Sequence, residues 1–280
     1  MKIAIMTDME GVAGILNFED WVLPGGTYYE EGKKLLTEEV NAAICGFCDA
    51  GADEIVVIDG HGHGGVNPIL LDPRALYSRG WAVYHQFGLN DNFDAVAWIG
   101  QHAKAGTVRS HMTHTMSLDI IDSRINGVSY GEFGRIAMIS GMYGTRAIFG
   151  SGERAFVEEA KALLPHIHAV EVKYGVNTDN GVNCTTEEYR KYNLGAVHVH
   201  PSVARERIYA GAKAALTDFI KNPEKFKVFC PEPPYVLETW FRKKGNAPAY
   251  KEIRRHDTDL MALFSAPQEI IPEGKYEKPY

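Results

Sequence analysis

Short apolar runs alternate with amphipathic stretches along most of this chain, and the alternation predicts its elements. Residues 2–8, 54–59, 94–99, 146–150 and 167–173 read as short buried strands, with another near 82–86. Each is an apolar run of strand length bounded by turn residues. Helices are predicted over about 30–50, 132–143, 152–163 and 201–220. Leu36, Val40, Ala43, Ile44 and Phe47 make the apolar stripe of the first, and Ile208, Ala212, Ala215, Leu216 and Phe219 that of the last. Ile120 to Tyr130 reads as a hairpin, with Asn126-Gly127 at its turn. This rhythm predicts an α/β fold, a mostly parallel sheet covered by helices. After the helix that starts at Pro201, Pro231-Glu232-Pro233-Pro234 breaks the chain before an alternating strand, Tyr235 to Phe241, and Pro272 to Tyr280 is a polar tail. A second, smaller α+β portion is therefore expected, dividing the chain into an α/β domain over 1–190, which carries the candidate metal ligands described next, and a C-terminal segment over 191–280 that completes the subunit.

The ends of the predicted strands carry the chemistry. The first runs into Thr7-Asp8-Met9-Glu10-Gly11. Side chains on a strand alternate, so Asp8 and Glu10 share a face and repel unless one takes up a proton or a cation sits between them. The strand at 54–59 ends in Gly60-His61-Gly62-His63-Gly64-Gly65, and the one at 94–99 in Gly100-Gln101-His102-Ala103-Lys104. In an open parallel sheet ligands gather beyond the carboxyl ends of strands, which lets Asp8, Glu10, His61 and His102 converge. A histidine in a glycine-rich loop is also an ordinary turn residue, and His63 reads as that or as a group behind the ligands or touching substrate. Arg109 to Met116 lacks the His-Glu-x-x-His spacing of a helical metalloprotease and reads as a loop or strand bearing a reactive imidazole, with His111 and Lys104, like His63, as candidate groups behind the ligands or touching substrate. Glu132 opens a helix, where a carboxylate commonly meets the dipole, but Gly131 and Gly134 permit close approach to something else.

Taken together, Thr7-Asp8-Met9-Glu10-Gly11, Asp59-Gly60-His61, Gly100-Gln101-His102-Ala103, Thr113-His114-Thr115-Met116 and Gly131-Glu132 resemble, in order and approximate spacing, the zinc-dependent D-aminopeptidases of the dipeptide-transport operon type, the DppA family. The resemblance is dense over residues 1 to about 160. It implies two zinc ions per chain: Asp8 bridging, Glu10 and His102 on one metal, His61 and Glu132 on the other, and His114 as the residue assigned as nucleophile. Chemistry alone makes His114 a general acid or base. The resemblance also implies a D-residue such as D-Ala at the amino terminus of a short peptide substrate, and a ring-like homo-oligomer, a decamer, enclosing its active sites. Beyond residue 170 agreement thins, and Lys173 to Gly181 stands where the family commonly has an Arg-containing stretch.

Composition narrows the alternatives. A net charge of −7 without a clustered basic and aromatic stretch argues against a nucleic-acid partner. No apolar run is long enough to cross a bilayer, and Asp8 and Glu10 interrupt the first apolar segment too soon for a signal peptide, so a cytoplasmic location is expected. Cys45 and Cys48 form a C-x-x-C at the carboxyl end of a helix, whereas redox cysteines are activated at amino ends, so these read as core or surface thiols. Gly150-Ser151-Gly152-Glu153-Arg154-Ala155 has the spacing of a dinucleotide fingerprint, but Glu153 would set a carboxylate against a pyrophosphate, and a tight strand-to-helix turn is the simpler reading. The leading function is a dinuclear zinc aminopeptidase. The alternatives are another two-metal hydrolase, a phosphoesterase using Lys104 and Arg109 for phosphate or an amidohydrolase, and a non-catalytic peptide-binding protein.

Overall fold

The computed structural model describes residues 1–80, 88–89 and 92–280. The strand expected near 82–86 lies outside them. In chain order the elements are β1 (Lys2–Thr7), α1 (Phe18–Trp21), α2 (Tyr29–Asp49), β2 (Glu54–Asp59), β3 (Ala75–Ser78), β4 (Ala95–Gln101), β5 (Ile120–Ile125), β6 (Val128–Ser129), α3 (Glu132–Met142) and β7 (Arg146–Glu153). Then follow α4 (Arg154–Leu163), β8 (His168–Gly175), α5 (Thr186–Tyr192), β9 (Ala196–His198), α6 (Pro201–Lys221), β10 (Tyr235–Phe241), β11 (Tyr250–His256), α7 (Leu260–Leu263) and β12 (Glu269–Pro272).

Seven strands form one sheet in the order β3-β2-β1-β4-β7-β8-β9. All neighbours are parallel except β8 and β9. The period of two in β1 sorts its side chains: Ile3 and Ile5 pack with the apolar stripes of α2 and α6 on one face, while Ala4 and Met6 pack with α3 and α4 on the other. Coverage of both faces explains the continuous apolar strands. The chain winds from β1 outward to β2 and β3, then returns to the other side of β1 with β4. The carboxyl ends of β1 and β4 thus flank the switch point where such sheets bind ligands.

A second, antiparallel sheet has the order β12-β11-β10-β5-β6. It rests on a small core of Ile125, Tyr130, Met138, Leu237, Leu260 and Leu263. At the turn between β5 and β6, Asn126 and Gly127 adopt φ of 50° and 80°, as a two-residue hairpin with both central residues left-handed requires. The chain crosses the division expected near residue 190 twice. The 120–129 hairpin pairs with β10 in the second sheet, and α6 packs on α2 and β8 of the first.

Helix α4 begins at Arg154, later than expected, because Gly150-Ser151-Gly152 stays in β7. A Cβ on Gly152 would lie 1.8 Å from the Gln101 carbonyl oxygen, and one on Gly150 would lie 2.7 Å from the Phe156 ring. These glycines serve close packing of strand on strand and strand on helix, and form neither a tight turn nor a phosphate cradle. The polar tail expected after Pro272 is docked instead: Trp240 Nε1 donates to the Glu277 carbonyl at 3.0 Å and Tyr280 Oη to that of Ala105 at 3.3 Å. All four cysteines are free.

Candidate metal centre

The carboxyl ends of β1, β2 and β4 bring Asp8, Glu10, His61 and His102 together, all buried. Gly100 makes this approach possible: its φ is +77°, and a Cβ there would lie 2.1 Å from the Asp8 carbonyl oxygen. Asp8, on the central strand, divides its oxygens between its neighbours. Its Oδ1 lies 3.2 Å from His61 Nδ1, on the β2 side, and its Oδ2 lies 3.2 Å from His102 Nε2, on the β4 side. Glu10 Oε2 lies 3.3 Å from His61 Nδ1. On the other side Glu132 Oε1, delivered by the first turn of α3, lies 3.5 Å from both His102 Nε2 and His114 Nε2.

Two donor groups result: Asp8, Glu10 and His61, and His102, Glu132 and His114, with Asp8 reaching across to the second. The resemblance pairs Glu10 with His102 and His61 with Glu132 on the metals; in this structure Glu10 lies beside His61 and Glu132 beside His102. The reason is topological. β2 and β4 lie on opposite sides of β1, and Glu10 turns to the side where His61 is delivered.

Each buried imidazole is held by its far nitrogen. His61 Nε2 lies 2.8 Å from the Val22 carbonyl and His102 Nδ1 2.8 Å from that of Ala103. A carbonyl only accepts, so these nitrogens carry the protons, and His61 Nδ1 and His102 Nε2 face the carboxylates. Glu10 Oε2 and His102 Nε2 are buried without an aligned hydrogen bond among the described residues. Burial depresses the pKa of both imidazoles, yet the carboxylates outweigh it, Glu10 and Asp8 for His61, Glu132 and Asp8 for His102, and both rise well above the ordinary histidine value. Burial opposes ionisation of Asp8 and Glu132, but the adjacent imidazoles outweigh it, His102 and His61 for Asp8, His102 and His114 for Glu132: Asp8 falls well below the carboxylate range and Glu132 to about 2. Three carboxylates crowded around two imidazoles favour a cation between them, and these nitrogen and oxygen donors suit a divalent metal. A cavity of about 20 Å³ bounded by Asp8, Gln101 and Glu132 lies at this point.

His114 is partly exposed. Its Nδ1 lies 3.0 Å from the Met112 carbonyl, its ring stacks on His102 at 4.1 Å between centroids, and Phe18 meets it edge-on at 5.7 Å. The loop holding it contains three non-glycine residues with left-handed backbone, Arg109, Met112 and Met116. Such strain persists only where surroundings impose it. Asn177 accepts from Ser110 N at 2.7 Å, the Asn193 carbonyl from Met112 N at 2.9 Å, and the Tyr189 hydroxyl pairs with Thr113 Oγ1 at 3.0 Å. The segment after Lys173 therefore braces the His114 loop.

The remaining candidates lie apart from both donor groups. His63 is exposed. His111 is buried, Nε2 toward the Leu16 carbonyl at 3.2 Å, and burial with the charge of Lys173 pushes its pKa down to about 2. Lys104 Nζ donates to Ser129 Oγ at 2.6 Å, and Gly131 lets the backbone before Glu132 come close to Lys104.

Sequence reasoning missed several supporting groups. Gln101 Nε2 donates to Asp8 Oδ2 at 3.2 Å. Lys173, buried in β8, donates to the carbonyls of Glu10 and Ile15. Glu153 accepts from Ala103 N at 2.8 Å and His111 N at 2.5 Å, and Glu39 from Ala13 N at 3.0 Å. Burial raises both carboxyls to about 7, and it lowers Lys173 to about 8. Glu39 occupies a position on the apolar stripe of α2, a signal legible in the sequence.

Comparison with known proteins gives this geometry its context. A family model described as Peptidase_M55, D-aminopeptidase, matches residues 1–259. The chain belongs to the D-aminopeptidase family. It is accordingly an enzyme, a peptidase of the hydrolase class, as expected from the five motifs. Among family relatives, a D-aminopeptidase of Bacillus subtilis strain 168 is 30% identical over 189 residues, covering 66% of this chain and 67% of the relative. A solved structure, described as the zinc-dependent D-aminopeptidase DppA from Bacillus subtilis, a self-compartmentalizing protease, superimposes with a TM-score of 0.73 at 24% identity, covering 86% of this chain and 81% of that one. That likeness shows the fold, the expected parallel sheet with a smaller second portion. Among the described residues no helix is long and apolar enough to cross a membrane.

Proposed function

We propose that this D-aminopeptidase family member is a dinuclear zinc enzyme that removes a D-residue, such as D-Ala, from the amino terminus of short peptides. The observation carrying this reading is the pair of donor groups either side of Asp8. Glu10 and His61 would hold one zinc and His102 and Glu132 the other, with Asp8 placed between the two groups to serve both. Zinc bound there supplies Lewis acidity toward the scissile carbonyl and lowers the pKa of a water nucleophile to near 7.

The chain's own residues supply the rest. Val22 and Ala103 fix the imidazole tautomers, Gln101 orients the Asp8 carboxylate, and Lys173 pins the backbone that carries Glu10. His114, with Nδ1 on the Met112 carbonyl, turns Nε2 toward Glu132 and the open side of the centre. There it accepts a proton from the attacking water and returns it to the leaving amine, which suits an imidazole near neutral pH. The phosphoesterase alternative gains nothing, since Lys104 is bonded to Ser129.

The deciding experiment assays D-alanyl and L-alanyl dipeptides and their N-acetyl forms with added zinc. D-alanyl peptides should turn over and acetylated ones should not, because acylation removes the amine lone pair. Equal turnover of L-alanyl peptides defeats D-specificity, and equal turnover of N-acetyl peptides defeats the aminopeptidase reading. By analogy with its self-compartmentalizing relative, the chain forms a homo-oligomer; the ring of ten subunits enclosing the centres, and its place in the cytoplasm, follow from the sequence reading alone. A monomeric mass by light scattering would overturn that assembly.

A further inference from the structure

Two carboxylates, Glu153 and Glu159, perform no step of the chemistry above, yet each grips two separate segments of the centre. Glu153 closes β7 and stands at the N-cap position of α4, but its side chain does not cap that helix. It turns instead to the loops beyond β4, fully buried, and receives one backbone N–H on each oxygen: that of Ala103 on Oε1 at 2.8 Å and that of His111 on Oε2 at 2.5 Å. Glu159, half-buried on α4, does the same with Lys104 N on Oε2 at 2.8 Å and Gly131 N on Oε1 at 3.0 Å.

The two consecutive N–H groups after His102 are thus held by different carboxylates. The other oxygen of Glu153 reaches the loop that carries His114, and the other oxygen of Glu159 reaches the residue before Glu132. All three segments serve one donor group, His102, Glu132 and His114. Within it His114 stacks on His102 at 4.1 Å between centroids, and Glu132 Oε1 lies 3.5 Å from both imidazoles. The His114 loop, with three non-glycine residues in left-handed backbone, keeps such a register only if its surroundings impose it. Thr115 adds a neutral tie, its Oγ1 accepting from Ala105 N at 3.0 Å, but a carboxylate accepting from backbone N–H groups makes the stronger bonds. We propose that Glu153 and Glu159 are positioning residues of this centre, an inference that rests on the dinuclear zinc reading: Glu153 sets His114 against His102, and Glu159 sets Glu132 against His102.

Glu→Gln keeps the size of the side chain but leaves one accepting oxygen, so each variant must release one of its two N–H groups. Steady-state kinetics on a D-alanyl dipeptide and zinc titration against a competing chelator read the effect. Val157→Ala, in the core face of α4, controls for simple loss of stability. Glu153→Gln should lower kcat about 10–100-fold with KM and both zinc affinities near wild type, since Glu159 still holds the His102 loop. Glu159→Gln should weaken one zinc about 10–100-fold and leave the other. Val157→Ala should lower Tm and move none of these. Hydrogen exchange read by mass spectrometry should quicken around His111 in Glu153→Gln and around Gly131 in Glu159→Gln. If the wild type itself cleaves no D-alanyl peptide, the proposed function falls, while zinc titration and exchange still decide the positioning. Should Glu153→Gln not fold, by circular dichroism, Glu159→Gln decides. Wild-type kcat in Glu153→Gln, unmoved zinc affinities in Glu159→Gln, or the same losses in Val157→Ala at equal Tm would overturn the proposal.

Discussion

The grouping of donors about Asp8 makes a quantitative prediction for metal content. Glu10→Gln removes a charge from the group containing His61, Glu132→Gln removes one from the group containing His102, and Asp8→Asn affects both. Four-coordinate zinc sites bind with about 10–16 kcal/mol, so each donor is worth about 3 kcal/mol, or roughly 10²-fold in affinity. After dialysis against a weak chelator, elemental analysis should find about two zinc ions per chain in the wild type, about one in each glutamate variant and almost none in Asp8→Asn. The decisive sample is Glu10→Gln combined with His61→Ala. Both substitutions fall in one group, so the double variant should still hold the metal at His102 and Glu132. If it folds, by circular dichroism, and yet holds no metal, Glu10 and His61 serve different ions and the grouping is wrong.

Further outcomes follow from other contacts. His114→Ala should keep its zinc and fold while kcat falls roughly 10²–10⁴-fold, the usual worth of a positioned acid or base; loss of zinc would make His114 a ligand, and wild-type turnover would remove it from the mechanism. Glu39, raised from 4.5 to about 7, binds its proton more tightly in the folded state. Its stabilising contribution is therefore full below about pH 4.5 and is lost as pH rises through about 7. Glu39→Gln should gain on the wild type across that window, by at most about 3 kcal/mol, in paired urea melts; pH-independent differences would show that Glu39 does not titrate there. Gly152→Ala, whose Cβ would lie 1.8 Å from the Gln101 carbonyl oxygen, should destabilise by about 4 kcal/mol or more, seen as a lowered Tm. An unchanged Tm would mean that β4 and β7 separate freely.

Much of this protein is local and therefore legible in the chain. A short apolar run between turn residues becomes a buried strand whatever its neighbours, and β2 occupies the expected residues 54–59. The carboxyl end of such a strand is where a parallel sheet presents polar groups, so Asp8, Glu10, His61 and His102 stand out by position, and the order of five motifs carries the family. Which donor faces which was not legible. That depends on β2 and β4 flanking β1, a pairing between segments some 50 and 90 residues away in the chain that no local pattern encodes. The same holds for the hairpin at 120–129, whose sheet is settled by β10 more than 100 residues later. Glu39 carried a local sign of burial, its place on the apolar stripe of α2, but Lys173 and Glu153 looked like ordinary charges on a strand and at a helix start, because burial is a property of the assembled layers. Only when α2, β7 and β8 close behind the β1 loop do these charges lose water, and they persist there because each finds a backbone partner.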